Sequence, residues 1–500
     1  MSDVSVSDRL RVSRYLGLFG AVVLAVAAYL GGALPDSDLR TNIPRILARP
    51  LGPYSLAAWL VGTALMVAAW LLAGRAGHLT PRWVFTTAAI WALPFALAPP
   101  MGSRDVYAYA CQGAVYDGGL DPYQFGASAL PCPWLNTMSY VWRSTPAPYG
   151  PASLAITGGA VRVAAGNLWV AILLLRLAAI AGVCLTAVFV RRLAAACGVD
   201  EGRATWLALA SPIIGVNLVS AAHNDGLMVG LCLAGLFFAV RRRPLASGVL
   251  LGLAVAVKAT AGVALPFAVL AVVRPDRSLR RLLPATAWVV AGGAVAYGAA
   301  SLATGLGFGW ISALKYSSQT VQWTSLPTGV GMAVGYIGQL FGATAHLTHQ
   351  TVGAARNVGM AVLAVALVAI WWRARGHDAR RTVGYAGVAL VAVTALSPVF
   401  FPWYWMLPIA VLAAAGFPGR WPIAVTAVAA FLVLPDGYSI ARPTAAPGSL
   451  AVLAATIGAL GWAAWRYLPH RAPVPAGAPT SGAPFGADLP QGDLEPTDGR

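Results

Sequence analysis

The 500-residue chain is 58% hydrophobic and only 10% charged, with a mean hydropathy of +0.69. So few polar groups cannot clothe a water-soluble globule, and the chain belongs in a bilayer. Its formal net charge of +17 would suit nucleic acid, but the arginines are spread over many short loops. That distribution excludes a nucleic-acid-binding face and fits orientation by the positive-inside rule.

The first long apolar segment, residues 15–34, has no cleavage pattern before it and reads as a signal anchor. Further spans are predicted at 54–73, 83–98, 168–190, 204–220, 226–240, 245–257, 260–273, 282–304, 357–372, 382–397, 403–415, 421–434 and 450–467. Several are short of the ~20 residues a bilayer requires, which gives roughly 12 to 14 crossings. The period-two alternation of an outer-membrane barrel is absent, so the fold class is an all-α polytopic membrane protein. Every second loop is basic, which places those loops and both termini in the cytoplasm and requires 151–166 and 330–341 to be interfacial or re-entrant. The organisation is one transmembrane domain over residues 1–468, with an outer loop and its interfacial helix at 99–166. A disordered cytoplasmic tail follows at 469–500, rich in Pro, Gly, Ala and Ser.

This topology puts the longest polar loop, from Pro99 to Gly150, outside. Arg104 and Asp105 stand side by side at its start, where an apolar run ends. A carboxylate there serves as a general base if a substrate hydroxyl comes within ~3 Å, and the guanidinium would attract a lipid phosphate. The plainer alternative is a snorkelling arginine beside a capping aspartate. Cys111 and Cys132 share the loop, where an oxidising exterior permits a disulfide. Segments 116–126 and 142–154 combine aromatics, prolines and sparse charges, the composition of a pocket wall in which rings stack on sugars. Asp117 and Asp121 read as solvated turn residues.

Farther along, His223, Asn224 and Asp225 fall in a tight outer turn that serves either a site or a helix cap. The chain's two lysines, Lys258 and Lys315, both map to the outer half. Arginine carries the topology, so these lysines read as anion ligands, with snorkelling as the alternative. Trp403 and Tyr404 belong to an aromatic cluster at 397–408 that is either an interfacial belt or a groove for lipid or sugar. Arg176, inside a span, needs a partner or a wet cavity. The chain has no phosphate-gripping GxxxxGK[ST] loop, HExxH, paired CxxC or dinucleotide-binding glycine fingerprint, which argues against ATP or a nucleotide sugar as the donor.

Taken together, "SRDVYAYACQG", "GLDPY", "WRSTPAPYGP", "HNDGL" and "FFPWYW" resemble the polytopic polyprenol-phosphate-mannose-dependent α-1,6-mannosyltransferases of actinobacteria, members of the GT-C glycosyltransferase class. The resemblance runs from about the third span to the last aromatic loop. It implies a plasma-membrane enzyme that takes mannose from a polyprenyl phosphomannose donor on the outer side and extends the α-1,6-mannan of a glycolipid acceptor, amid membrane lipids. In that class an aspartate of the first large outer loop is the catalytic base, and the matching position is Asp105. Arg104 and Lys258, then Arg143 and His223, are the expected ligands of the donor phosphate. Tyr107, Tyr123, Tyr149, Asp225, Trp403 and Tyr404 are the expected pocket. Many GT-C enzymes pair two carboxylates in this loop around a divalent metal; this chain has one there, flanked by arginine, so a metal stays an option and no ligand is assigned to it. Another GT-C transferase with an arabinosyl or glucosyl donor shares these features. A transporter or lipid flippase should show related halves and polar groups near mid-membrane, neither of which is evident.

Overall fold

The computed structural model describes residues 6–467 apart from 36, 38–40, 277, 318 and 418; the expected tail at 469–500 lies outside the described residues. Among the described residues, regular structure is helical apart from one isolated bridge, Val433 with Ser439. In chain order the helices are α1 (Val6–Gly31), α2 (Ile43–Ala48), α3 (Gly52–Gly74), α4 (Pro81–Leu97), α5 (Asp105–Asp117), α6 (Pro151–Ala164), α7 (Leu168–Ala196), α8 (Glu201–Leu209), α9 (Asp225–Val240) and α10 (Pro244–Val257). They continue as α11 (Leu265–Val273), α12 (Leu279–Thr304), α13 (Trp310–Ser317), α14 (Leu326–Leu340), α15 (Ala345–Ala374), α16 (Ala379–Leu396), α17 (Met406–Ala414), α18 (Trp421–Ala429) and α19 (Ala445–Tyr467). Residues 1–454 make one compact unit; in the second, from Ala455, the described part is the largely exposed apolar end of α19.

The chain is a polytopic membrane helix bundle. Six helices, α1, α3, α7, α12, α15 and α19, are long and apolar enough to cross a bilayer, and α9 with the π-helical turn Ile214–Ser220 before it, bent by 105°, is either a broken seventh span or a re-entrant hairpin. The other expected spans are shorter helices, from the 9 residues of α8 to the 18 of α16. Apolar composition continues through breaks in the backbone, so an expected span need not be a single helix. The run 204–220 looks like one span, yet α8 stops at Leu209 before Ser211 and Pro212, and the chain resumes as the π turn. Similarly, 3₁₀ turns at Ala259–Ala264 and Pro402–Trp405 open the stretches that continue as α11 and α17. The segments expected to be interfacial or re-entrant are α6, of 14 residues, and α14, of 15.

Packing follows the rules of helices in lipid, where close backbone approach replaces the hydrophobic drive. Gly248 and Gly252 of α10 form a GxxxG face against Val289 and Gly293 of α12, where any Cβ would collide with a carbonyl oxygen. On the outside, α15 shows apolar side chains such as Val365 and Val368, 70% and 66% exposed, as a lipid-facing helix must. Arg176, within α7, donates to the Ser220 and Ala96 carbonyls, which satisfies the buried guanidinium.

Several breaks lead to one place. The Pro99–Pro100 pair after α4 prevents helix continuation and lets the chain turn through Gly102, at φ +78, into α5. Extended backbone at Lys258 separates α10 from the 3₁₀ turn after it. The turn between Val433 and Ser439 docks on the start of α5, where Gly102 N donates to the Pro435 carbonyl at 2.8 Å.

Candidate active site

These segments enclose a cavity of about 610 Å³. Its wall includes Arg104, Asp105, Tyr149, Asp225, Lys258, Trp403 and Tyr404 among the residues singled out from sequence. Tyr107, Tyr123, Arg143 and His223 do not line it.

Asp105 is the first residue of α5, with its backbone N–H capped by the Ser103 hydroxyl at 3.1 Å. Its side chain is 14% exposed. Burial pushes the carboxyl up to about 6, against the pull of Lys258 and of hydrogen bonds from Trp142 and Ser103; the charge of Asp225 adds to the rise. A carboxylate of that basicity at the edge of a cavity suits proton abstraction near neutral pH.

Behind Asp105 lies a side chain that does not face the cavity. His223 is fully buried, with Nδ1 3.8 Å from the Asp105 Oδ2 and 3.1 Å from the Tyr109 hydroxyl. Its ring stacks on Trp403 at 4.0 Å, and Trp403 stacks in turn on Phe401 at 4.6 Å. The ring is fully enclosed and does not line the cavity, so the structure does not bring His223 to a place where it could bind the donor phosphate, and its position suits holding its neighbours instead.

Arg104 explains the adjacent charge pair differently from either sequence reading. Its Nε donates to the Asp436 carbonyl at 3.2 Å, and its Nη1 to Leu34 and Thr137 carbonyls at 3.3 and 3.0 Å. Its Nη2 bonds the Ser37 hydroxyl. The guanidinium therefore ties the exit of α1, the loop after α5 and the Val433–Ser439 turn to the start of α5, and these acceptors occupy donors a phosphate would use. Arg143, the other expected phosphate ligand, bonds the Asn136 carbonyl at 3.2 Å away from the cavity. The Tyr107 hydroxyl donates to the Ala33 carbonyl at 2.5 Å, and Tyr123 packs beneath Gly309; both are buried structural residues of the loop.

Of the expected phosphate ligands, Lys258 lines the cavity with its ammonium bonded to no backbone carbonyl. Its Nζ lies 2.8 Å from both oxygens of Asp225 and 4.5 Å from the centre of the Tyr404 ring. Asp225 is a second carboxylate in the same cavity, but it does not fit a metal site with Asp105: both of its oxygens are held by an ammonium that would repel a divalent ion. Among the described residues no group of three or more His, Cys, Asp or Glu could hold a metal.

The sequence reading passed over Trp142, Asp436, Tyr438 and Arg442, and gave Lys315 no settled part; all five line the cavity. Trp142 stood inside a quoted motif without a role. Asp436 and Tyr438 sit in "PDGYS", which reads as an ordinary turn. In the same loop the structure joins Cys111 to Cys132.

A family model described as Alpha-(1->6)-mannopyranosyltransferase, N-terminal domain, matches residues 14–274, and one described as MptB C-terminal domain matches residues 327–463. Alpha-(1->6)-mannopyranosyltransferase A of Mycobacterium tuberculosis is 32% identical over 438 residues, with 84% of each chain covered. A probable alpha-(1->6)-mannopyranosyltransferase of Mycolicibacterium smegmatis is 33% identical, over 84% of this chain and 82% of its own. Alpha-(1->6)-mannopyranosyltransferase A of Corynebacterium glutamicum is 30% identical, over 79% of this chain and 85% of its own. No solved structure matches the chain.

Proposed function

The chain belongs to the alpha-(1->6)-mannopyranosyltransferase family and is a membrane mannosyltransferase; from that premise we propose that it moves mannose from polyprenyl phosphomannose onto the α-1,6-mannan of a lipomannan-type glycolipid at the outer face of the plasma membrane. The observation that carries the reading is the facing of Asp105, a carboxyl poised at about 6, and the Lys258–Asp225 pair across one cavity.

In the proposed reaction Asp105 accepts the proton of the acceptor's 6-hydroxyl as that oxygen attacks the anomeric carbon. The bond from that carbon to the phosphate oxygen breaks with inversion, and polyprenyl phosphate leaves with the bonding pair. Lys258 offsets the charge that develops on the leaving phosphate. Trp403, Tyr404 and Tyr149 supply faces for the sugar rings, and the apolar wall at Met360, Leu390, Val393 and Leu407 suits a prenyl chain. The Cys111–Cys132 bond, which ties the helix that begins at Asp105 to the loop after it, supports an extracytoplasmic site because disulfides persist in oxidising compartments. Both termini are then cytoplasmic.

Purified protein incubated with polyprenyl phosphomannose and short α-1,6-mannosides should yield products longer by one mannose. Transfer only from an arabinosyl or glucosyl lipid would overturn the donor assignment. For sidedness, Phe125, 44% exposed in the same loop, is replaced by cysteine. An impermeant thiol reagent should label Phe125→Cys in intact cells, and labelling only after lysis would refute the outer-face site.

A further inference from the structure

Asp436 is a buried carboxylate that the mechanism above does not use. It is 5% exposed and lines both the main cavity and a smaller one of about 250 Å³ behind it. Its Oδ1 accepts from the Tyr438 N–H at 3.0 Å, which closes a two-residue side-chain turn. Its Oδ2 meets no donor and is closed off from solvent, and the residue makes no ion pair among the described residues. Asparagine or serine would close the same turn without leaving a buried carboxylate oxygen unpartnered, so the fold alone gives no reason for an acid here.

The surroundings narrow what Oδ2 can receive. An anion is repelled by the carboxylate itself. A metal cation is disfavoured by the Arg104 guanidinium, bonded to the backbone oxygen of this same residue, and by Arg442 on the same cavity wall. A neutral polyol suffers neither penalty. Its hydroxyls donate to a carboxylate, and Tyr438 adds a ring face beside it. The turn is also fixed to the segment that carries the base: Gly102 N donates to the Pro435 carbonyl at 2.8 Å, and Gly437, at φ +89, lies so close that a Cβ would be 3.4 Å from the Ser103 Cα.

Resting on the mannosyl-transfer reading, we propose that Asp436 is a sugar-binding residue whose Oδ2, uncovered by a small turn of the carboxylate as the sugar enters, receives a hydroxyl of a mannosyl ring in the cavity that Asp105 also lines. The ring belongs either to the acceptor or to the mannose in transfer, and kinetics separates the two. Asp436→Asn keeps Oδ1 for Tyr438 and replaces the accepting oxygen with a donor. It should raise one KM about 10- to 100-fold, as loss of a hydrogen bond to a charged group implies, with a smaller change in kcat and an unchanged melting temperature. A rise in acceptor KM assigns the acceptor ring, and a rise in donor KM assigns the transferred one. With monodeoxy analogues of the affected substrate, one analogue should lose the same factor with the parent enzyme and nothing further with the variant. Asp436→Ser, which also closes the turn, stands in if the asparagine variant does not fold. Both KM values within twofold of the parent, or equal losses on deoxygenation in parent and variant, would overturn the proposal while leaving the transferase reading intact. A parent enzyme that transfers no mannose would instead remove the reading on which it rests.

Discussion

Asp105→Asn should lower mannosyl transfer by about 10²- to 10⁴-fold, the range that general-base catalysis supplies, while leaving the protein folded. Asparagine has the same shape and keeps one acceptor oxygen for Trp142 or Ser103, but it cannot take up the acceptor's proton. The effect on stability has a definite sign. The folded carboxyl holds its proton up to about pH 6 and an unfolded one only to 3.8. At neutral pH ionisation therefore burdens the folded state, and the burden is lifted only as pH falls through that window. The neutral variant should accordingly melt at the same temperature as the parent at pH 7, or higher. In the parent, kcat/KM should be level above pH 6 and fall about tenfold per unit below it, because only the ionised carboxyl is a base. Transfer at the parental rate by well-expressed Asp105→Asn membranes, or a rate that does not drop in acid, would show that another group removes the proton.

Sequence and structure agree where the physical signal is local. The long helices α1, α3, α7, α12, α15 and α19 announce themselves as apolar runs of sufficient length. The breaks at Ser211, at Lys258 and before Pro402 do not, because hydropathy is continuous across them and backbone conformation leaves little trace in it. The same division holds in the site. Asp105, Asp225, Lys258, Tyr149, Trp403 and Tyr404 were legible as polar or aromatic residues at ends of expected spans or in the long polar loop, and the cavity collects all six. Their pairing was not legible, since Lys258 and Asp225 meet only through the fold of α9 against α10.

Arg104 shows the limit most clearly. Beside an aspartate at a membrane boundary it reads as a phosphate ligand, yet it bonds three backbone carbonyls from distant segments. Carbonyl acceptors belong to every residue type, so such a partner set has no sequence signature. Asp436 escaped for a related reason. An Asp-Gly pair is common in turns, and only the three-dimensional count of donors shows that one of its oxygens is unanswered.

Lys258→Met should be the most disruptive single change, and the reason separates structure from chemistry. Asp225 is 1% exposed and both of its oxygens depend on the Lys258 ammonium. Removing that ammonium leaves a buried charge unpaired, which costs about 3–5 kcal/mol and should appear as a lower melting temperature. It also leaves Asp105 without the cation that lowers its pKa while the Asp225 charge that raises it persists, so residual activity should move to higher pH. Adding Asp225→Asn removes the orphaned charge and should recover most of the stability. In the double variant the two opposing influences on Asp105 are gone together, and the pH profile should return toward that of the parent. Turnover should not return: with the Lys258 charge gone from the leaving phosphate, transfer stays about 10²- to 10³-fold down, the loss typical of removing one electrostatic stabiliser of a transition state. Thermal unfolding in detergent and initial transfer rates across pH measure all three quantities. A double variant as fast as the parent would reduce the pair to a structural tie, whereas a single variant as stable as the parent would mean that Asp225 has support other than Lys258.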